Sequence, residues 1–236
     1  MLLSFIVPAH NEEHELAAAL AAIRAAATGR NYEIVVVDDA STDRTTKIAR
    51  AAGADVVSID RRQIAAARNA GAARARGEVL FFVDADTHIS MAHVTGALEA
   101  LRSGAAGGGA RVSFHGEIPR WSNVLLAVFS VFYFGFNLGA GAFLFTTAEN
   151  FRTVGGFDEQ YFAGEEVYFS QALKKLGRFV ILRQPVATSG RKLRMHSPAK
   201  IFGQMFILFL RGPSAVKTRD RLALWYDGKR EGVNRR

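Results

Sequence analysis

The chain of 236 residues is the size of one sizeable domain and short for two, and its 49% hydrophobic and 22% charged residues form a globular composition that excludes general disorder. Its 30 Lys+Arg against 22 Asp+Glu give a net charge of +8, yet residues 171–236 hold 16 of the basic and 3 of the acidic side chains, so residues 1–170 are acidic, 14 against 19. The absence of cysteine removes disulfides, thiolate metal sites and cysteine nucleophiles and fits a reducing compartment. The start MLLSFIVPAHNEE has too short an apolar run and no basic flank for a signal peptide, so a cytoplasmic setting is expected.

Ser4–Pro8 reads as a short β-rich run. Asn11, followed by Glu12 and Glu13, has the chemistry of a helix cap with acids on the positive end, and predicts a helix to about Ala27 with Leu16, Leu20 and Ile23 on one face. Glu33–Val37 predicts a fully apolar strand that ends in Asp38-Asp39. Ser41 opens a second helix to about Ala52, closed by Gly53, and Asp55–Ile59 is a third strand. A helix over Ile64–Ala75 and a strand over Glu78–Val83 complete the series. Continuous Val/Ile/Phe strands separated by helices imply parallel β-α units covered on both faces, and an α/β sandwich with a nucleotide-type site at the C-terminal strand edge.

The second half is less regular. Ser90–Leu101 predicts a helix and Gly107–Phe114 a strand. Ser122–Ala148, about 27 residues, carries no charge, a length that by count could span a bilayer. Gly135, Gly139 and Gly141 interrupt it, and Ala142–Thr146 reads as a core strand, leaving an apolar helix of roughly 15 residues against the ~20 a span needs. Such a helix is buried, or meets a membrane or a partner. Asn150–Val154 predicts a helical turn, Glu165–Leu176 a helix stopped by Gly177, and Phe179–Leu182 a last strand. The expected division is a folded domain over 1–185 and a basic extension over 186–236. In that extension Ile201–Leu210 lies among Lys200, Arg211, Lys217, Arg219 and Arg221, a pattern suited to the surface of an anionic membrane on its inner face.

Acids follow several strands: Asp38-Asp39, Asp84-Ala85-Asp86, and Glu165-Glu166 at a helix start. In a parallel sheet the strand C-termini face one edge, so these groups converge, and hard oxygen ligands select Mg²⁺ or Mn²⁺. No HExxH, paired CxxC, GxxxxGK[ST] or GxGxxG is present, which removes the main support for zinc protease, P-loop and dinucleotide readings.

The motifs Val7-Pro8-Ala9-His10-Asn11-Glu12-Glu13, Val37-Asp38-Asp39-Ala40-Ser41-Thr42-Asp43, Ala67-Arg68-Asn69-Ala70-Gly71, Phe82-Val83-Asp84-Ala85-Asp86, and Gly155-Gly156-Phe157-Asp158-Glu159 with Gly164-Glu165-Glu166 come in an order and spacing that closely resembles the family-two, inverting glycosyltransferases, over about residues 3–182. The resemblance implies a GT-A type, Rossmann-like α/β/α sandwich with a mostly parallel central sheet and a basic C-terminal helical extension. It implies that Pro8, Ala9, His10, Asn11 and Glu12 contact the base and ribose of a UDP- or GDP-type sugar donor, and that Asp39 meets the base. Arg68 is implied to lie near base and phosphates, Asp84 on ribose or sugar, and Asp86 on a divalent Mg or Mn ion at the diphosphate. The Gly155–Asp158 turn is implied beside sugar and acceptor, the acceptor being a carbohydrate or a lipid-linked molecule. Glu165-Glu166 stands where the family more often has Glu-Asp, and supplies the base, with Glu166 favoured.

Arg191, Lys192 and Arg194 could close on the diphosphate, and the resemblance implies that a C-terminal histidine such as His196 completes the metal shell. A catalytically silent nucleotide-sugar scaffold is the alternative function. The basic tail also suggests nucleic acid, but no reader motif accompanies it, so none is expected.

Overall fold

A computed structural model describes residues 1–116, 119, 121–122, 138–195, 197–198, 200–201, 203, 216–217 and 222, the side chain of Lys192 excepted. Its strands are β1 (Leu3–Ala9), β2 (Tyr32–Asp39), β3 (Asp55–Ile59), β4 (Val79–Val83), β5 (Thr87–His88), β6 (Ala105–His115), β7 (Phe143–Thr147) and β8 (Arg178–Ser189). Its helices are α1 (Leu16–Ala26), α2 (Thr45–Ala51), α3 (Ile64–Arg74), α4 (Met91–Arg102), α5 (Ala148–Thr153), α6 (Glu165–Leu176) and α7 (Arg191–Met195).

The strands form one sheet in the order β3-β2-β1-β4-β7-β6-β8-β5. The run β3, β2, β1, β4 is parallel, as is β6 with β8, whereas β7 is antiparallel to both neighbours and β5 to β8. The central strands are apolar throughout because both faces are covered. Phe5, Val7, Phe81, Val83, Phe143 and Phe145 meet α1, α2 and α4 on one side. Ile6, Leu80, Phe82 and Leu144 meet Phe151 of α5, Phe169 and Leu173 of α6, and Phe157 of the intervening loop on the other. Aromatic geometry reinforces both layers, with Phe5 and Phe81 stacked at 4.9 Å and Phe157 and Phe169 at 4.1 Å.

Three boundaries differ from the sequence reading. The first helix begins at Leu16, not after Asn11, because Asn11 takes a left-handed φ of 54° that breaks a helix start. The second begins at Thr45, whose N–H is accepted by Asp43 at 2.9 Å, so the cap lies beyond Ser41. The last strand continues through Pro185 to Ser189. It follows β6 across an irregularity between Ala110 and Val112, the distortion expected where proline withholds an N–H from the ladder. The expected division at 185/186 therefore falls inside β8. Apart from Trp121, Ser122 and residues 138–148, the apolar stretch lies outside the described residues, as does most of 196–236. Among the described residues no helix is long and apolar enough to cross a membrane.

Close packing of α3 on the sheet depends on Gly71. A Cβ there would lie 2.4 Å from Ile6 Cγ2 and 2.9 Å from Val37 Cγ2, both in fully buried, χ1-restricted side chains. Alanine would gain about 1 kcal/mol of helix propensity, but overpacking costs about 1–3 kcal/mol. Gly71→Ala is therefore expected to lower Tm despite its helix preference; an unchanged or higher Tm in thermal denaturation would contradict this packing.

Candidate active site

The C-terminal ends of β1, β2 and β3 are each followed by a non-glycine residue in the left-handed region, Asn11 (φ 54°), Ala40 (φ 58°) and Arg62 (φ 46°). Strain of this kind, about 1–3 kcal/mol per residue, persists only where surroundings enforce it, and marks sites. Here hydrogen bonds across the loops enforce it. Asn11 N–H donates to Ser41 Oγ at 2.9 Å, and Asn11 Oδ1 accepts from Thr42 N–H at 2.8 Å. Ser41 N–H donates to Asp38 Oδ1 at 3.1 Å, and Thr46 Oγ1 donates to Asp38 Oδ2. Asp39 accepts the N–H groups of Arg61 (2.8 Å), Arg62 (2.7 Å) and Gln63 (2.7 Å), so this buried carboxylate organises the β3–α3 loop. His10 Nδ1 lies 2.6 Å from the Asp39 carbonyl.

At the end of β4 the acids meet a buried arginine. Arg68, only 1% exposed, comes from α3; its Nη1 donates to Glu165 at 2.5 Å and its Nη2 to Asp84 at 3.0 Å and to the Gly141 carbonyl at 2.8 Å. Its guanidinium also lies 5.2 Å from the Phe157 ring centre. Burial opposes the Arg68 cation, but Asp84, Glu165 and Glu166 outweigh it and raise its pKa. Burial, with Glu166 next, raises the pKa of the Glu165 carboxyl, and the Arg68 guanidinium 2.5 Å away pulls it back toward the charged form. Glu166 is only half-buried. Gly164, in the left-handed region, turns the chain so that both glutamates stand in the first turn of α6.

The adjoining helix residue, Asn69, reads the backbone of the glycine turn. Its Oδ1 accepts from Phe157 N–H at 2.9 Å, and its Nδ2 donates to Phe157 O at 2.9 Å and to Glu159 at 3.0 Å. Gly155 and Gly156 hold φ of 78° and 75°. A Cβ at Gly156 would come within 2.8 Å of Asn69 Oδ1, so conformation and space both call for glycine.

A second arginine serves the other side. Arg191, the first residue of α7 just after β8, makes a two-pronged pair with Glu12 (2.8 and 2.6 Å) and approaches Asp86 Oδ2 at 3.6 Å. Burial opposes its charge, yet Glu12 and then Asp86 raise its pKa. Asp86 also accepts from Thr188 Oγ1 at 3.0 Å. Behind it His88 and His115 stack at 4.7 Å, and burial, then His115, lowers the pKa of His88.

The sheet edge thus gathers Glu12, Asp39, Asp84, Asp86, Glu165 and Glu166. Pro8 and Ala9 are in β1 and buried beneath this edge. Arg68 bonds to protein groups on the same edge. It is sealed under the acids, joining Asp84 to Glu165, because three oxygen partners and an aromatic face surround it. Arg191 and Glu12, expected on the donor, here hold each other. The roles of Asn69 and Gln63 escaped the sequence reading; Gln63 Nε2 donates to Glu159 O at 2.6 Å. The only advance signal for Asn69 was its place beside Arg68. His196 lies outside the described residues. Among the described residues no group of three His, Asp or Glu side chains is arranged to hold a metal by itself.

Residues 4–154 match the family described as Glycosyl transferase family 2, and the chain belongs to that family of glycosyltransferases. It is 33% identical over 127 residues to a dolichol-phosphate mannosyltransferase of Pyrococcus furiosus, a match spanning 51% of this chain and 36% of that protein. The match thus covers about a third of the relative's length. A mannosyltransferase from Pyrobaculum calidifontis, solved with GDP-Man and Mn²⁺, superposes with TM-score 0.64 at 20% identity, over 93% of this chain and 66% of the other. Glucosyl-3-phosphoglycerate synthase from Mycobacterium tuberculosis, solved with Mn²⁺, UDP and phosphoglyceric acid, gives TM-score 0.62 at 20% identity, over 88% and 75%. These likenesses show the GT-A fold.

Two stability effects follow. Arg191→Met strands a buried carboxylate, at a cost of about 3–5 kcal/mol, or roughly 6–20 °C in Tm at about 2–4 °C per kcal/mol. The double variant with Glu12→Gln should recover part of that loss, and equal melting of single and double variants would argue against the pair. Asp43 is held below its ordinary pKa: burial raises it, but hydrogen bonds from Thr45 and the Glu13 amide prevail. The unfolded chain then takes up the proton first on acidification, so this stabilisation is present at neutral pH and lost as pH falls through 3.8 and below. Denaturation curves of Asp43→Asn and wild type should differ at pH 7 and converge near pH 2–3, roughly.

Proposed function

We propose that the protein transfers a sugar from a UDP- or GDP-type donor to a hydroxyl of a carbohydrate or lipid-linked acceptor, with inversion, using Glu166 as general base. The observation that carries this reading is the contrast within the acidic pair. Glu165 is 3% exposed and engaged by Arg68, whereas Glu166, at the same helix start and the same sheet edge as Asp84 and Asp86, is accessible. The named ligands of the structural relatives, UDP and GDP-Man with Mn²⁺, support the donor class.

In this reading the ends of β1 and β2 and the turns that follow them, carrying Pro8–Asn11 and Asp39, form the wall for the base, and Asp84 meets ribose or sugar. The acceptor hydroxyl has a pKa far above neutrality. Glu166 takes its proton as the oxygen attacks the anomeric carbon, which contributes about 10²–10⁴-fold. The new glycosidic bond forms opposite the breaking bond to the diphosphate, which leaves with that electron pair, so the configuration inverts.

The donor set suits Mg²⁺ or Mn²⁺: Asp86 offers oxygen only, at the rim of the site, and no three-ligand cage stands among the described residues. That fits a hard cation held by one carboxylate and completed by phosphate oxygens and water. Asp86 would hold it, and when bound it supplies charge stabilisation to the departing diphosphate. Arg191, 3.6 Å from Asp86, provides fixed positive charge on the same side.

A panel of nucleotide sugars with Mg²⁺ or Mn²⁺ should raise Tm for the true donor. Glu166→Gln is expected to keep that shift while turnover falls about 10²–10⁴-fold; a loss on that scale in Glu165→Gln with normal turnover in Glu166→Gln would reassign the base. Full turnover by Asp86→Asn would remove the metal assignment.

A further inference from the structure

The strongest feature outside the roles just given is the hub made by one guanidinium. From the geometry we infer that Arg68 is a positioning residue for the transfer reaction, which pins Glu165 against the end of β4 and so aims the neighbouring Glu166 at the acceptor. The inference rests on Glu166 being the base.

The partners of Arg68 divide according to what else holds them. Asp84 has independent support, since its N–H donates to Ala142 O at 3.2 Å and its carbonyl accepts from Thr87 N–H at 3.0 Å. The Gly141 carbonyl belongs to the segment leading into β7. Glu165, by contrast, sits at the first position of α6, and its carboxylate meets Arg68 at 2.5 Å in a fully buried pocket. One planar donor fork therefore sets the distance between a fixed strand end and a helix start. Glu166 shares that helix turn, one residue on. The Phe157 ring beside the guanidinium packs on Phe169, one turn further along α6. Both contacts fix the rotation of α6 about its axis, which decides where Glu166 points. A donor-binding residue and the base are thereby held in register by one fully buried side chain.

Lysine at this position keeps a positive charge but cannot bridge two carboxylates and a carbonyl at once. Arg68→Lys is expected to lower kcat about 10- to 100-fold, the scale of an ångström-level misplacement, while donor KM changes less than about threefold, since Asp84 is held by its own backbone. Removing the cation alone would strand Glu165, so the neutral test is Arg68→Gln with Glu165→Gln, in which both buried charges go together. The double variant should melt within a few degrees of wild type and still show the low kcat.

Both variants are assayed for turnover, donor KM and Tm beside Glu166→Gln. Wild-type kcat in Arg68→Lys, or recovery of wild-type kcat in the double variant, would overturn the positioning role. A matched rise in KM with unchanged kcat would overturn it too, and place Arg68 on the donor instead. If Glu166→Gln itself turns over normally, the base assignment fails, a different result from any of these.

Discussion

Six carboxylates converge on the C-terminal edge of one sheet, and the rest of the architecture depends on how their repulsion is met. At an effective dielectric of about 20, two such charges 6 Å apart repel by roughly 3 kcal/mol, so an uncompensated cluster would consume a large part of a domain's stability. Two buried arginines answer it: Arg68 sits between Asp84 and Glu165, and Arg191 between Glu12 and Asp86. Arginine suits both places because it stays charged when buried and its planar fork serves two oxygens at once.

The two arginines arrive by different routes. Arg68 belongs to α3, where Gly71 allows the helix to sit directly on Ile6 and Val37, so its depth is set by backbone contact with the sheet. Asn69, next in the chain, grips the turn at Phe157. Four consecutive residues of a small, alanine-rich helix thus connect sheet, acidic pair and glycine turn. Arg191 comes from the far end of the fold, where β8 returns beside β6 and delivers Thr188 and Arg191 to Asp86. The net charge of +8 is for this reason not simply a basic tail attached to an acidic domain: at least one of the tail's cations is spent inside the acidic site.

Left-handed backbone at Asn11, Ala40 and Arg62 belongs to the same economy of space. Three successive strand ends bend sharply to keep the edge open, and each bend is secured by bonds to Ser41, Asp38 or Asp39. Asp39 shows how structural and functional readings coexist. Its three backbone partners make it the organiser of the β3–α3 loop, while its own place at the end of β2 puts it beside the wall proposed for the donor base.

The sequence by itself determined the class of fold and which acids stand at one edge of the sheet. Uninterrupted Val/Ile/Phe runs demand a sheet covered on both faces, and acids placed just after such strands must meet at one edge, because parallel strands end together. Those are local and topological facts, readable in one dimension. Partner choice was not. Whether Arg68 faces a phosphate or two carboxylates, whether Glu12 faces a ligand or Arg191, and which of two adjacent glutamates is buried depend on the rotation of α6, the depth of α3 and the return of β8 past Pro185. These are set by packing among residues 16 to 179 positions apart. Only the tertiary structure brings such groups within hydrogen-bonding distance, and only there does one carboxylate of a pair lose its water while its neighbour keeps it.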